Sequence, residues 1–351
     1  MRLGILRGKP LNVWPKGSKY YKRQLIQFQG VMAMLVVGID LGGTEIKAGL
    51  VDEKKGIIKK ISRPTEVEKG NAQVIANITK TVRDLTENTE FSAIGIGSPG
   101  SIDRKNGIVR FSPNFPNWRN FELVRLIKEN INVDVFLEND ANAFALGEWY
   151  FGKAKGLHDF IALTIGTGIG SGVVCNNTFL TGKDGLAPEL GHVVVVPNGP
   201  QCGCGNRGCV EATSSAKYIA LEARNLLDRY PNSLVLKLAG KKEKIESKHV
   251  FQAYEKNDPL ASVVCNFAID ALARAIGGYV HALNPEKIII GGGLSRAGDT
   301  LFVPLREMTK KYVMSSFADT YTIEQSSLVE DAGILGAASA AFYAEENPYS
   351  L

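Results

Sequence analysis

The sequence has few cysteines, no long apolar run and, over its first 33 residues, no acid at all. Only 5 of its 351 residues are cysteine, an odd number. Three crowd into one short stretch, and Cys175 and Cys265 lie in apolar contexts that suit buried thiols. So sparse a set argues against a disulfide-stapled secreted scaffold and for a reducing cytoplasm. No uninterrupted apolar run approaches the ~18 residues of a membrane helix, so no membrane partner is expected.

The missing acids explain the net charge of +5. Residues 1–33 contain seven basic residues, leaving 34 basic against 36 acidic in the rest. A nucleic-acid footprint belongs on the folded surface, and a nearly neutral body offers none. The extension is poor in serine and shows no apolar helical face, unlike a transit peptide. It reads as a disordered tail, or as a start assigned too early with Met32 or Met34 the true first residue. The length allows one large domain or two medium ones, and 44% hydrophobic with 22% charged residues is ordinary for a globular protein.

What is present centres on Glu189–Glu211, ELGHVVVVPNGPQCGCGNRGCVE. His192, Cys202, Cys204 and Cys209 supply one imidazole and three thiols, a set that closes a tetrahedral zinc shell without an open position. Such a metal does no chemistry itself; it would fix the flanking carboxylates Glu189 and Glu211. Free thiols on a Gly-rich loop are the alternative, and they leave the crowding without a reason.

From Leu35 an apolar strand runs into Asp40, followed by a Gly-Gly-Thr turn and a second strand to Val51. Gly42 and Gly43 expose backbone N–H groups that suit a phosphate, and Asp40 could hold Mg²⁺ through water, although a plain hairpin looks the same. Phe160–Asn176 repeats this pattern 124 residues later, Thr164 standing for Asp40 and Gly166 for Gly42. Two such units suggest duplicated halves whose Gly turns grip a nucleotide from both sides. A helix is expected around Asn71–Glu87 and a strand at Ser92–Gly97. Phe111–Trp118 (FSPNFPNW) is a loop whose amides either meet a polyhydroxylated ligand or simply make turns. A strand at Val133–Leu137 delivers Glu138-Asn139-Asp140-Ala141-Asn142 to a helix, Ala141–Phe151. Asp140 is there either the helix N-cap or a general base at the carboxyl end of a strand. Asp258-Pro259 caps a long helix whose apolar positions, Phe267 among them, read as core. Lys287–Ile290 is a buried strand opening into a Gly-rich loop with room for a flat ligand.

Together DLGGTEIK (40–47), ENDAN (138–142), GTGIGSG (166–172), ELGH (189–192), CGCGNRGCVE (202–211) and Gly291–Gly293 resemble the ordered motifs of the ROK family of sugar kinases and sugar-responsive repressors. The resemblance covers about residues 35–345. It implies an α/β fold of two actin-like ATPase lobes, of the actin/hexokinase/Hsp70 type, around a nucleotide and sugar cleft. Residues 34–152 would form a small lobe and 153–332 a large lobe with the zinc loop, with a final helix (333–346) packing back on the small lobe.

Carried across residue by residue, the resemblance makes Asp140 the catalytic base and Asn139 a sugar ligand. Glu189, His192 and Glu211 match sugar-binding positions, His192 serving zinc as well, and Gly100 and Asn114 match the sugar-side loops. Asp40, Gly42, Gly43, Thr44 and Lys47 resemble the first phosphate loop and Thr167 and Gly168 the second, with Gly292 and Gly293 where adenosine is held. Pro188 departs from the small residue usual before the Glu189 position. The implied activity is phosphorylation of a hexose 6-hydroxyl by Mg-ATP, with structural Zn²⁺, in a homodimer. Glucose is the expected sugar, N-acetylmannosamine or N-acetylglucosamine the alternative. A repressor would need a DNA-binding module larger than the extension. An actin- or chaperone-like ATPase would leave the Glu/His/Cys cluster unexplained.

Overall fold

The computed structural model describes residues 34–347 except Val329; the expectations for residues 1–33 lie outside that range. Two continuous apolar runs set the architecture. LVVGIDL forms β1 (Leu35–Leu41) and FIALTI forms β9 (Phe160–Ile165), both buried almost throughout. A run with no polar alternation must be covered on both faces, so each becomes a central strand.

Around β1 lie β2 (Glu45–Asp52), β3 (Gly56–Pro64), β4 (Ala93–Ser98) and β8 (Asp134–Asn139), in the order β3-β2-β1-β4-β8. The second sheet has β10 (Ile169–Cys175), β11 (Thr178–Phe179), β12 (Lys287–Gly291) and β13 (Thr322–Gln325) around β9, in the order β11-β10-β9-β12-β13. In both, the partner next in sequence is antiparallel and the pairing on the other side is parallel. The sequence repeat is therefore a repeat of topology. Asp40 pairs with Lys47 and Gly97 where Thr164 pairs with Gly170 and Gly291. A small third sheet, β5 (Ser101–Asp103), β6 (Ile108–Phe111) and β7 (Arg119–Phe121), extends from the end of β4.

The helices of ten residues or more are α1 (Asn71–Thr86), α2 (Asp140–Phe151), α3 (Ala216–Leu226), α4 (Pro259–Leu283), α5 (Asp299–Thr309) and α6 (Ala332–Glu346). α2 and α6 are buried over most of their length because they are sandwiched between the sheets and each other. Their close approach depends on missing side chains. A Cβ at Gly95 on β4 would fall 1.8 Å from the Ala337 carbonyl of α6, and one at Gly172 on β10 would fall 2.4 Å from Ala145 Cβ of α2. In GTGIGSG, the last glycine thus seats a helix rather than a ligand.

Asp258 caps α4 by accepting the Ala261 N–H at 3.0 Å, with Pro259 at its first turn. By length and composition α4 alone among the described helices could cross a membrane, although polar Asn266, Asp270 and Arg274 interrupt its apolar stretch. Most of it is buried inside the protein. The assignment of Phe267 to the core is corrected: it is 43% exposed, beside Val263 at 47%. Apolar residues surround so much of α4 that periodicity alone does not select its buried face.

The 111–118 loop is anchored by its aromatics. Phe115 and Trp118 are buried and stacked, ring centroids 4.0 Å apart, and Trp118 donates its indole N–H to Asn71 Oδ1 at 3.1 Å. Asn114 is left exposed at the loop's surface.

Candidate active site

β8 feeds directly into α2, and Asn139, not Asp140, caps the helix. The Asn139 side-chain oxygen accepts from the N–H groups of Ala141 (2.9 Å) and Asn142 (3.2 Å), and its amide donates to the Gly100 carbonyl at 3.1 Å. The cap reading of Asp140 is thus displaced by one residue, and Asp140 occupies the first helical turn. Its carboxylate accepts the Ala141 N–H at 2.9 Å and remains open to solvent. Protein nevertheless surrounds it on most sides, which pushes its pKa up to about 6, with the charge of Asp40 adding to the rise.

Asp40 ends β1. Burial raises its pKa too, opposed by the cross-strand Lys47 and reinforced by Glu45. A Cβ on Gly333, in the first turn of α6, would sit 2.3 Å from the Asp40 carboxylate, so this helix N-terminus lies against it. The positive end of the helix favours a carboxylate there. Nothing local in the sequence signals that contact, which joins nearly opposite ends of the chain.

The two Gly turns are held differently. In the first, Gly42 donates to the Glu45 carbonyl at 3.0 Å, and buried Thr65 donates its hydroxyl to the Gly42 carbonyl at 2.6 Å. Gly43 comes so close to Asn114 that a Cβ would lie 3.0 Å from that residue's own. A phosphate-turn residue and a sugar-loop residue thus meet. Thr44 and Lys47 are exposed. In the second, Gly166 donates to the Gly168 carbonyl at 2.9 Å and Thr167 is exposed at the tip. Glu211 Oε2 accepts the Ile169 N–H at 2.9 Å, and a side chain on Gly168 would collide with that carboxylate. Gly292, at φ 81°, abuts the end of β9 at Ile165, whereas Gly293 has open space beside it. A cavity of about 510 Å³ is lined by Lys47 and Lys60 from the first sheet and Arg296 from the turn after Gly293.

The sulfur and nitrogen atoms of His192, Cys202, Cys204 and Cys209 all lie within 4.8 Å of one another. His192 Nδ1 is 3.6 Å from Cys202 Sγ, and the sulfurs of Cys204 and Cys209 are 3.7 Å apart. A tetrahedron with Zn–S of ~2.3 Å has S–S edges of about 3.8 Å, so the residues fit that ion. Glu211 Oε1 lies 3.7 Å from Cys202 Sγ, which makes Glu211 the link between cluster and second Gly turn. Glu189 Oε2 lies 4.0 Å from His192 Nε2. Their segment is pinned by Ser171, whose hydroxyl donates to the Pro188 carbonyl and accepts the Leu190 N–H, and by Tyr279, which donates to the Leu190 carbonyl at 2.6 Å.

The structure therefore joins Gly100 to Asn139, Gly43 to Asn114, and Gly168 through Glu211 to the cysteines. Sequence reasoning missed Thr65 and Gly333, which brace the first turn and Asp40.

The chain as a whole is similar to proteins of known family and structure. The ROK family profile matches residues 36–343. A glucokinase of Thermotoga maritima is 54% identical over 304 residues, 87% of this chain and 96% of that protein. The crystal structure of a ROK family glucokinase from Streptomyces griseus, in complex with glucose and AMPPNP, is 32% identical, covers 87% of this chain and 98% of its own, and gives a TM-score of 0.73. That of a ROK hexokinase from Thermus thermophilus is also 32% identical, covers 90% of this chain and 100% of its own, and gives 0.78. The fold is the two-lobe actin-like ATPase fold of these kinases, and the chain belongs to the ROK family.

Proposed function

We propose that this protein is an ATP-dependent glucose kinase, with Asp140 as the general base. The carrying observation is the state of Asp140: open to solvent, beside Asp40 and the start of α2, with a pKa near 6. A base for a sugar hydroxyl works best when it is ionised at neutral pH yet still basic. As the sugar oxygen bonds to the γ-phosphorus, its proton passes to Asp140 and the bond to the bridging oxygen of ADP breaks. Such a transition state needs positioning and charge stabilisation more than covalent help. The N–H groups of the two Gly turns would supply the charge stabilisation, except those of Gly42, Gly166 and Ile169, which the protein's own oxygens already hold, contrary to the expectation for Gly42. Mg²⁺, held near Asp40 through water, would neutralise phosphate charge. Asn114, Asn139, Glu189, His192 and Glu211 would bind the sugar, and His192, Cys202, Cys204 and Cys209 would hold zinc and so fix the carboxylates.

The test is ADP release from Mg-ATP against glucose, mannose, fructose, N-acetylglucosamine and N-acetylmannosamine. Turnover highest with glucose is expected. Preference for an acetamido sugar would move the assignment to an amino-sugar kinase with the same base, and no turnover with any sugar would favour a sensor.

We also infer a homodimer. Leu221 of α3 and Val263 and Phe267 of α4 line an open cavity of about 400 Å³, an apolar strip that a second copy would cover. Phe267→Glu is expected to shift sedimentation from dimer to monomer, and a wild-type monomer would end this reading. Thiols kept reduced for the metal favour the cytoplasm.

A further inference from the structure

The strand-to-helix junction that carries Asp140 holds a buried carboxyl group that phosphoryl transfer does not use. Glu138, two residues before Asp140, is only 1% exposed. Its Oε1 accepts two hydrogen bonds at 3.0 Å, from the Asn139 N–H and from the side-chain amide of Asn142. These tie the end of β8 to the first turn of α2. Its Oε2 meets Nε of Arg104 at 2.6 Å without the alignment of a hydrogen bond, so the attraction is ionic.

Arg104 arrives from elsewhere. It starts the turn between β5 and β6, in the hairpin that follows Gly100, and its side chain is 10% exposed. Its guanidinium carbon lies 5.7 Å from the ring centroid of Phe179, on β11 at the edge of the second sheet. Phe179 is itself held by Tyr343 of α6, ring centroids 6.1 Å apart. One side chain therefore links its own hairpin to the β8–α2 junction that bears the base and to the second sheet.

Maintenance of the fold alone does not call for this arrangement. Buried ion pairs are often replaced by neutral groups of similar shape without loss of stability. They do fix geometry, and an ionised acceptor holds its hydrogen bonds about twice as strongly as a neutral one.

We propose that Arg104 is a positioning residue for phosphoryl transfer: through Glu138 it fixes the start of α2, and with it Asp140, against the second sheet. This rests on the reading of Asp140 as base. Without Arg104 the Glu138 carboxylate is stranded in a dry site, and burial already disfavours its ionised form. The junction of β8 and α2 then shifts or Glu138 takes up a proton, and in either case Asp140 loses its register.

Steady-state kinetics and thermal melts of Arg104→Met, alone and combined with Glu138→Gln, test this. The single variant should lose ~10–100-fold in kcat, the scale of an ångström-level misplacement, with glucose KM within about threefold. The double variant removes the stranded charge and keeps the Oε1 acceptor, so it should regain thermal stability while kcat stays at least ~10-fold down. It also decides the matter if the single variant does not fold. A double variant with wild-type kcat would reduce the pair to structural filler. So would an unchanged kcat in the single variant, or a loss confined to KM. If the wild-type protein fails to phosphorylate glucose, the functional reading falls first and takes this one with it; an active wild type beside an unaffected Arg104→Met sinks this inference alone.

Discussion

Asp140→Asn is expected to turn over glucose ~10²–10⁴-fold more slowly than wild type, the usual contribution of a general base. Its glucose KM should stay within a few-fold. The amide preserves size and the hydrogen bond from Ala141 but cannot take the hydroxyl proton. The pH profile supplies an independent check. The base works only when deprotonated, so wild-type kcat/KM should be level above its folded pKa of about 6 and fall tenfold per unit below it. The variant should lack that acid limb.

Stability moves the other way. A carboxyl whose folded pKa is raised binds its proton more tightly in the folded than in the unfolded chain. Its penalty is therefore absent at low pH, grows between the unfolded value and about 6, and is complete above. Asp140→Asn carries no such penalty, and its melting temperature at pH 7 should be no lower than wild type. Near-normal turnover in the folded variant would remove Asp140 from the mechanism.

The second large effect is expected at the metal. Cys202→Ala removes a sulfur 3.6 Å from His192 Nδ1 and 3.7 Å from Glu211 Oε1. Loss of zinc would free Glu211, which also receives the Ile169 N–H at the second Gly turn. We expect glucose KM to rise ~10–100-fold, the range seen when groups that orient a site are lost, with a smaller change in kcat. Metal content by mass spectrometry, a thermal melt and KM should be read on the same preparation. A folded, zinc-free variant with unchanged KM would contradict the role assigned to the cluster. Cys175→Ser, at the far end of β10, should leave all three unaltered.

Much of this protein was legible because its signals are local. The two strand–Gly turn–strand units lie in contiguous residues, and pairing rules turn them into matching halves of a duplicated sheet topology. The spacing of His192, Cys202, Cys204 and Cys209 puts four metal-binding atoms on one compact loop. The strand-to-helix junction at 138–142 marks the candidate base through a short-range pattern.

Tertiary structure decided the rest, and each case is a contact between distant segments. Whether Asn139 or Asp140 caps α2 depends on the Gly100 carbonyl, which occupies the Asn139 amide. The face that α4 buries depends on what packs against it, and a helix apolar nearly all round does not encode that choice. Asp40 meets α6 only because glycines at 38, 95 and 333 let a helix from the far end of the chain lie against β1 and β4. Arg104 is one of 41 basic residues, indistinguishable in composition from the solvated ones. Burial beside Glu138 and Phe179 sets it apart, and burial is a property of the packed molecule rather than of any stretch of its sequence.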